Sequence, residues 1–132
     1  MQLTNKETFS CEAEKVWEVL ENLSDCSWRR NIREIEVISD TQFVEISKEG
    51  YRTSYTIVEK EECKSVSLEF ENENMHGSTT MILCEENGVT TAEFWLEVLT
   101  SKSFMKPFVK AAMRISHAEY LEDLQKALEN KK

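Results

Sequence analysis

The chain has 132 residues, 40% hydrophobic and 31% charged, with a formal net charge of −9. That length fits one domain whose core needs no disulfide or metal to be viable. An acidic surface repels nucleic-acid phosphates and anionic membranes, and no apolar run approaches the ~20 residues of a membrane span, so neither a nucleic-acid partner nor integral membrane contact is expected.

The first strand is expected at Gln2 to Phe9. Ser10 has the chemistry of an N-cap, and from about Glu12 to Glu21 the residues Ala13, Val16, Trp17 and Leu20 repeat at helical spacing. Glu12 and Glu14 suit the first turn of that helix. Asn22 to Ser27 breaks it, because Asn, Asp and Ser compete for the backbone. A second short helix around Asp25 to Asn31 fits the pattern.

Strands follow at Ile32 to Ile38, Gln42 to Ser47 and Tyr51 to Glu59, with turns at Ser39-Asp40 and Gly50. Ser65 to Glu71 alternates, with Val66, Leu68 and Phe70 on one face. Gly77 to Glu85 and Val89 to Leu99 flank Glu86-Asn87-Gly88, a strong hairpin signal because Asn and Gly tolerate positive φ. Ala92, Phe94, Leu96 and Val98 share a face opposite Glu93, Trp95 and Glu97. Turns this short make neighbouring strands antiparallel, and the rows with Glu69, Glu71, Glu93 and Glu97 fit a wet face.

The other face needs a cover, and a helix from about Ser103 to the C-terminus is the one element large enough. Its apolar positions are Phe104, Phe108, Val109, Ala112, Met113, Ile115, Tyr120, Leu121, Leu124 and Leu128, with Pro107 in the first turn. The expected fold is therefore α+β: a curved antiparallel sheet of about seven strands around a long C-terminal helix, with short helices after the first strand. One domain is expected over residues 1–132, with a pocket between sheet and helix.

The run Ala13-Glu14-Lys15-Val16-Trp17-Glu18-Val19-Leu20, followed by Ser24-Asp25 and Trp28, resembles the opening of the START and polyketide cyclase/dehydrase (SRPBCC) superfamily. Gly88-Val89-Thr90-Thr91-Ala92-Glu93-Phe94 resembles that superfamily's seventh strand, and Leu121-Glu122-Asp123-Leu124 the end of its long helix. The resemblance spans nearly the whole chain and rests on packing positions and turns. The loop before Trp28 departs from it, lacking the proline often found there. The resemblance implies a helix-grip fold with a cavity. Its members bind lipids, sterols, polyketides, quinones or plant hormones, some are cyclases or aromatases, and some activate a heat-shock ATPase.

Tyr51, Thr53, Tyr55 and Ile57 share one strand parity. Two phenols in an apolar pocket would fix a ligand carbonyl or hydroxyl; the alternative is core aromatics whose hydroxyls reach the rim. Thr79, Met81 and Leu83 read as a neighbouring inner face, and Met81, Met105 and Met113 as an adaptable wall. The ligand-binding wall is assigned to Tyr51, Tyr55, Leu68, Phe70, Met81, Phe94, Leu96, Phe108 and Met113. His76 reads as a hairpin histidine near a pocket mouth or on the surface, and His117 as packed or half-exposed. Trp28-Arg29-Arg30, and Lys102, Lys106, Lys110 and Arg114 at every fourth position, form cationic features. They read as solvated surface, or as attraction for an anionic ligand or partner.

Cys11, Cys26, Cys63 and Cys84 form no CxxC pair and no zinc spacing. Met1 to Ser10 is polar, unlike a secretory segment. A cytoplasmic protein, with no metal and no cofactor, is expected. Carboxylates mostly alternate with apolar residues, so no catalytic pair is assigned and the reading weighs against an enzyme. The leading function is binding or transport of a hydrophobic or amphipathic small molecule, lipid or polyketide-like. The alternatives are a protein-interaction module with a filled interior and a cyclase- or dehydratase-like enzyme. The oligomeric state is left as monomer or homodimer.

Overall fold

The structure, a computed structural model, describes residues 1–100 and 106–130. Its elements run β1 (Gln2–Phe9), α1 (Ala13–Glu21), β2 (Ile32–Val37), β3 (Gln42–Ser47), β4 (Arg52–Glu61), β5 (Ser65–Glu71), β6 (Met75–Glu86), β7 (Val89–Thr100) and α2 (Lys106–Asn130). Ser103, Phe104, Lys102 and Met105 lie outside the described residues. All seven strands form one antiparallel sheet in the order β1-β7-β6-β5-β4-β3-β2. The chain must therefore cross from one sheet edge to the other between β1 and β2, and it does so through α1 and residues 22–31. Register shifts at Ile32/Glu34 and Ile57/Glu59 bend strands locally and contribute to the curvature that turns one face inward.

The expected α+β helix-grip architecture is present, with three local differences. Residues 25–31 form turns and extended chain instead of a second helix, leaving α1 as the one helix between β1 and β2. Ser10 does not cap α1. Glu12 holds the N-cap position without a side-chain bond, and the Ala13 N–H donates to Glu85 Oε1 at 2.8 Å. A carboxylate from β6 thus satisfies a helix N-terminal donor and suits the positive end of the dipole. The sixth strand starts at Met75, because the Asn72 side chain accepts from the Asn74 and Met75 N–H groups and folds the preceding turn.

The Asn87-Gly88 hairpin forms as its residues demand, with φ of 54° and 77°. Gly77 is required for another reason. A Cβ there would run into the backbone carbonyl of Glu97 and touch the Phe70 ring.

The interior divides in two. Phe9, Val16, Trp17, Leu83, Ala92, Phe94, Leu121, Leu124 and Leu128 belong to a cluster beneath α1 and the C-terminal half of α2. Phe70, Val98 and Val109 form a smaller one at the other end of α2, with Met113 packed against it. The backbone of α2 approaches α1 and β1, while the β2–β5 side of the sheet curls away. Among the described residues, no helix is long and apolar enough to cross a membrane.

Candidate functional site

Between the two apolar clusters lies a partly enclosed cavity of about 840 Å³. Strand alternation supplies its floor. Phe94 and Leu96 of β7 face it, as do Met75, Thr79 and Met81 of β6, Val66, Leu68 and Phe70 of β5, and Thr53, Tyr55 and Ile57 of β4. Met113, Ser116, His117 and Tyr120 of α2 form the opposite wall, and Trp17, Leu20 and Trp28 close one end. The floor is layered by ring contacts: Phe43 and Tyr55 stack with centroids 5.0 Å apart, and Tyr55 and Phe70 meet at 5.8 Å.

Seven of the nine residues assigned to the wall from sequence line this cavity: Tyr55, Leu68, Phe70, Met81, Phe94, Leu96 and Met113. Two do not. Tyr51 is 63% exposed; it precedes β4 in the turn where its carbonyl accepts from Ser47 N–H, beyond the covered length of the sheet. Strand parity selects a face but not how far the cover extends. Phe108 is 70% exposed. On a helix it lies about 100° from the buried Val109, and the inward arc runs through Val109, Met113, His117 and Tyr120, so Phe108 and Ile115 point out. His76 is exposed on β6, alternating with the inward Met75.

Besides the Tyr55 phenol expected from sequence, the cavity holds a charged pair that the sequence did not assign to it, Arg29 and Glu45. Arg29 turns inward from residues 22–31 and its Nη1 donates to Glu45 Oε2 at 3.0 Å, with side chains 18% and 14% exposed. The guanidinium carbon lies 4.8 Å from the Tyr120 ring centroid and 5.6 Å from that of Trp28, a cation–π arrangement. Burial works against the Arg29 charge, but Glu45 outweighs it and the pKa is raised. Loss of water, reinforced by Glu45, holds the Tyr55 phenol well above its usual range. Burial likewise pushes Tyr120 up to about 12. His117 Nε2 donates to Asn5 Oδ1 at 2.8 Å, and burial lowers its pKa. One signal for Glu45 was available: it shares strand parity with Phe43, the apolar anchor of β3.

Arg30, adjacent to Arg29, points the other way. Its backbone N–H and Nε donate to the two oxygens of Asp123 at 2.8 and 2.9 Å, with Glu119 and Glu122 also within ion-pair range. Residues 22–31 are thus tied to β3 through Arg29 and to α2 through Arg30. Lys106, Lys110 and Arg114 remain exposed. Among the described residues, no group of three or more His, Cys, Asp or Glu side chains is placed to hold a metal ion.

No protein-family model matches the chain, and no curated protein matches it. Solved structures do. A START superfamily protein from Mycobacterium smegmatis superposes with a TM-score of 0.88 at 10% identity, covering 99% of each chain. The Zhui aromatase/cyclase from Streptomyces sp. R1128 gives 0.88 at 11% identity, covering 99% of this chain and 94% of that one. A conserved protein from Geobacillus kaustophilus gives 0.86 at 10% identity, over 98% and 96%. At these identities the likeness is one of architecture: the chain has the START-like, SRPBCC helix-grip fold.

Proposed function

We propose that this protein binds a hydrophobic or amphipathic small molecule, lipid or polyketide-like, in the cavity between sheet and helices. The observation that carries the reading is the cavity itself. Its volume of about 840 Å³ falls within the ~300–1,000 Å³ of small-molecule sites. Its floor is mostly apolar and aromatic, and among its polar residues Arg29 and Glu45 form a mostly buried pair near the buried Tyr55 phenol. Burying apolar ligand surface there contributes about 25 cal/mol per Å² before ordering costs. The START superfamily protein and the aromatase/cyclase with the same architecture support a ligand-holding role. The interaction-module reading draws less support: it requires a small or filled interior with the Arg29, Arg30 and Lys106–Arg114 surfaces free, and although Lys106, Lys110 and Arg114 are exposed, Arg29 is turned into the cavity and Arg30 is engaged by Asp123.

Native mass spectrometry of the purified protein, with organic extraction of what co-purifies, tests this. A bound apolar mass, displaced by Nile red, is the expected result. A bare protein that also leaves Nile red unbound would overturn the reading.

A further inference from the structure

We infer that the cavity selects an uncharged, ring-shaped ligand whose oxygen function docks against Arg29, Glu45 and Tyr55, and that it discriminates against ligands of the same shape carrying a full charge. This rests on the binding role proposed above and narrows it to a chemical class.

The charge balance of the cavity is the basis. Its mostly buried charges are one cation and one anion, already joined at 3.0 Å. Breaking such a pair strands a charge in a poorly solvated place, which is strongly unfavourable. A ligand carboxylate would compete with Glu45 for Arg29 and leave two anions facing each other. A ligand ammonium would meet Arg29. A neutral oxygen avoids both costs. A carbonyl can accept from an Arg29 N–H not used by Glu45, since guanidinium has five donors, and a hydroxyl can donate to the Glu45 carboxylate. The Tyr55 and Tyr120 phenols stay protonated at neutral pH and add no charge.

The exposed part of the lining acts in the same direction. Its charged residues are Glu21, Asp25, Asp40 and Glu49 against a lone Lys60 among the described residues. Their field opposes the entry of anions. The ring shape follows from the wall, where Phe43, Tyr55 and Phe70 pack on one another as a layer lining the cavity, which a flat ligand ring can extend by edge or offset contact.

The test holds the ring constant and varies the charge. Naphthol and acetylnaphthalene are neutral, naphthoate is an anion and naphthylmethylammonium a cation. Equilibrium dialysis at neutral pH should rank both neutral compounds at least about tenfold tighter than either ion. Glu45→Gln leaves Arg29 unmatched, so naphthoate should gain at least about tenfold over wild type. The double variant Arg29→Gln/Glu45→Gln, again uncharged inside, should keep its preference for the neutral pair. Naphthoate binding wild type as tightly as naphthol would overturn the inference while leaving the binding role intact. If none of the four binds and extraction finds nothing, both fall.

Discussion

His117 faces the cavity from α2 with its Nε2 committed to Asn5 and its ring edge-on to Phe94 at 5.2 Å. Burial lowers its pKa, so the unfolded chain takes up the proton more readily. The resulting stability is fully present above the unfolded value of about 6.5 and is lost as pH falls through the folded one. The melting temperature should therefore decline as the pH is lowered from neutral, and His117→Gln should flatten that slope; an unchanged slope would remove His117 as the titrating group. Gly77 is a second single-residue constraint. Gly77→Ala drives a methyl into the Glu97 carbonyl, which as backbone within the β6–β7 pairing cannot step aside. A loss of about 1–3 kcal/mol is expected from denaturant titration, with Phe70 displaced. Residues such as Arg29 and Glu45 were the least legible in sequence. A glutamate alternating with apolar neighbours reads as solvated, and nothing local reports that an arginine 16 positions earlier in the chain turns inward to meet it.

At the scale of elements, the sequence was informative wherever one periodicity dominated. The hairpin at Asn87-Gly88, the inward rows of β5 and β7, and the buried Leu121, Leu124 and Leu128 of α2 all follow from local pattern. What depends on a partner distant in the chain was not readable, and the start of α1 is an example. Ser10 is the expected cap, yet Glu85 accepts from Ala13 N–H. Ser10→Ala should accordingly be near neutral, while Glu85→Ala should cost about 0.5–2 kcal/mol, measured by chemical unfolding. The reverse ranking would restore Ser10 as the cap. Residues 22–31 follow the same rule, since their shape is set by Asp123 on α2. Asp123→Ala removes the acceptor of the Arg30 backbone N–H. A penalty of roughly 1–3 kcal/mol is expected for the stranded donor. Amide hydrogen exchange should accelerate in residues 26–31 with little change in β6 and β7. Uniform acceleration would mean that Asp123 supports the whole fold and not residues 22–31 in particular.

For the molecule as a whole, the consequential fact is that one interior serves two purposes. Leu124 is fully buried in the cluster beneath α1, whereas Leu68 lines the cavity. Periodicity marks both as inward-facing and cannot tell them apart, because the standoff between α2 and the curled side of the sheet is a property of the assembled fold. Their responses to substitution should differ in sign. Leu124→Ala opens a void in close-packed surroundings and should cost about 2–5 kcal/mol. Leu68→Phe adds volume where space already exists, so the ligand-free protein should be unchanged or stabilised by up to about 2 kcal/mol. Ligand linkage completes the comparison. A neutral naphthol at about 100 times its Kd should stabilise the wild type by about 2.7 kcal/mol. In Leu68→Phe the same concentration should stabilise far less, because the added ring occupies ligand space. Thermal melts with and without ligand read both quantities. If Leu68→Phe destabilises the ligand-free protein as core overpacking does, by about 1–3 kcal/mol, then the space beside β5 is closed in solution. The same chain would then be a solid helix-grip core with no room for a ligand.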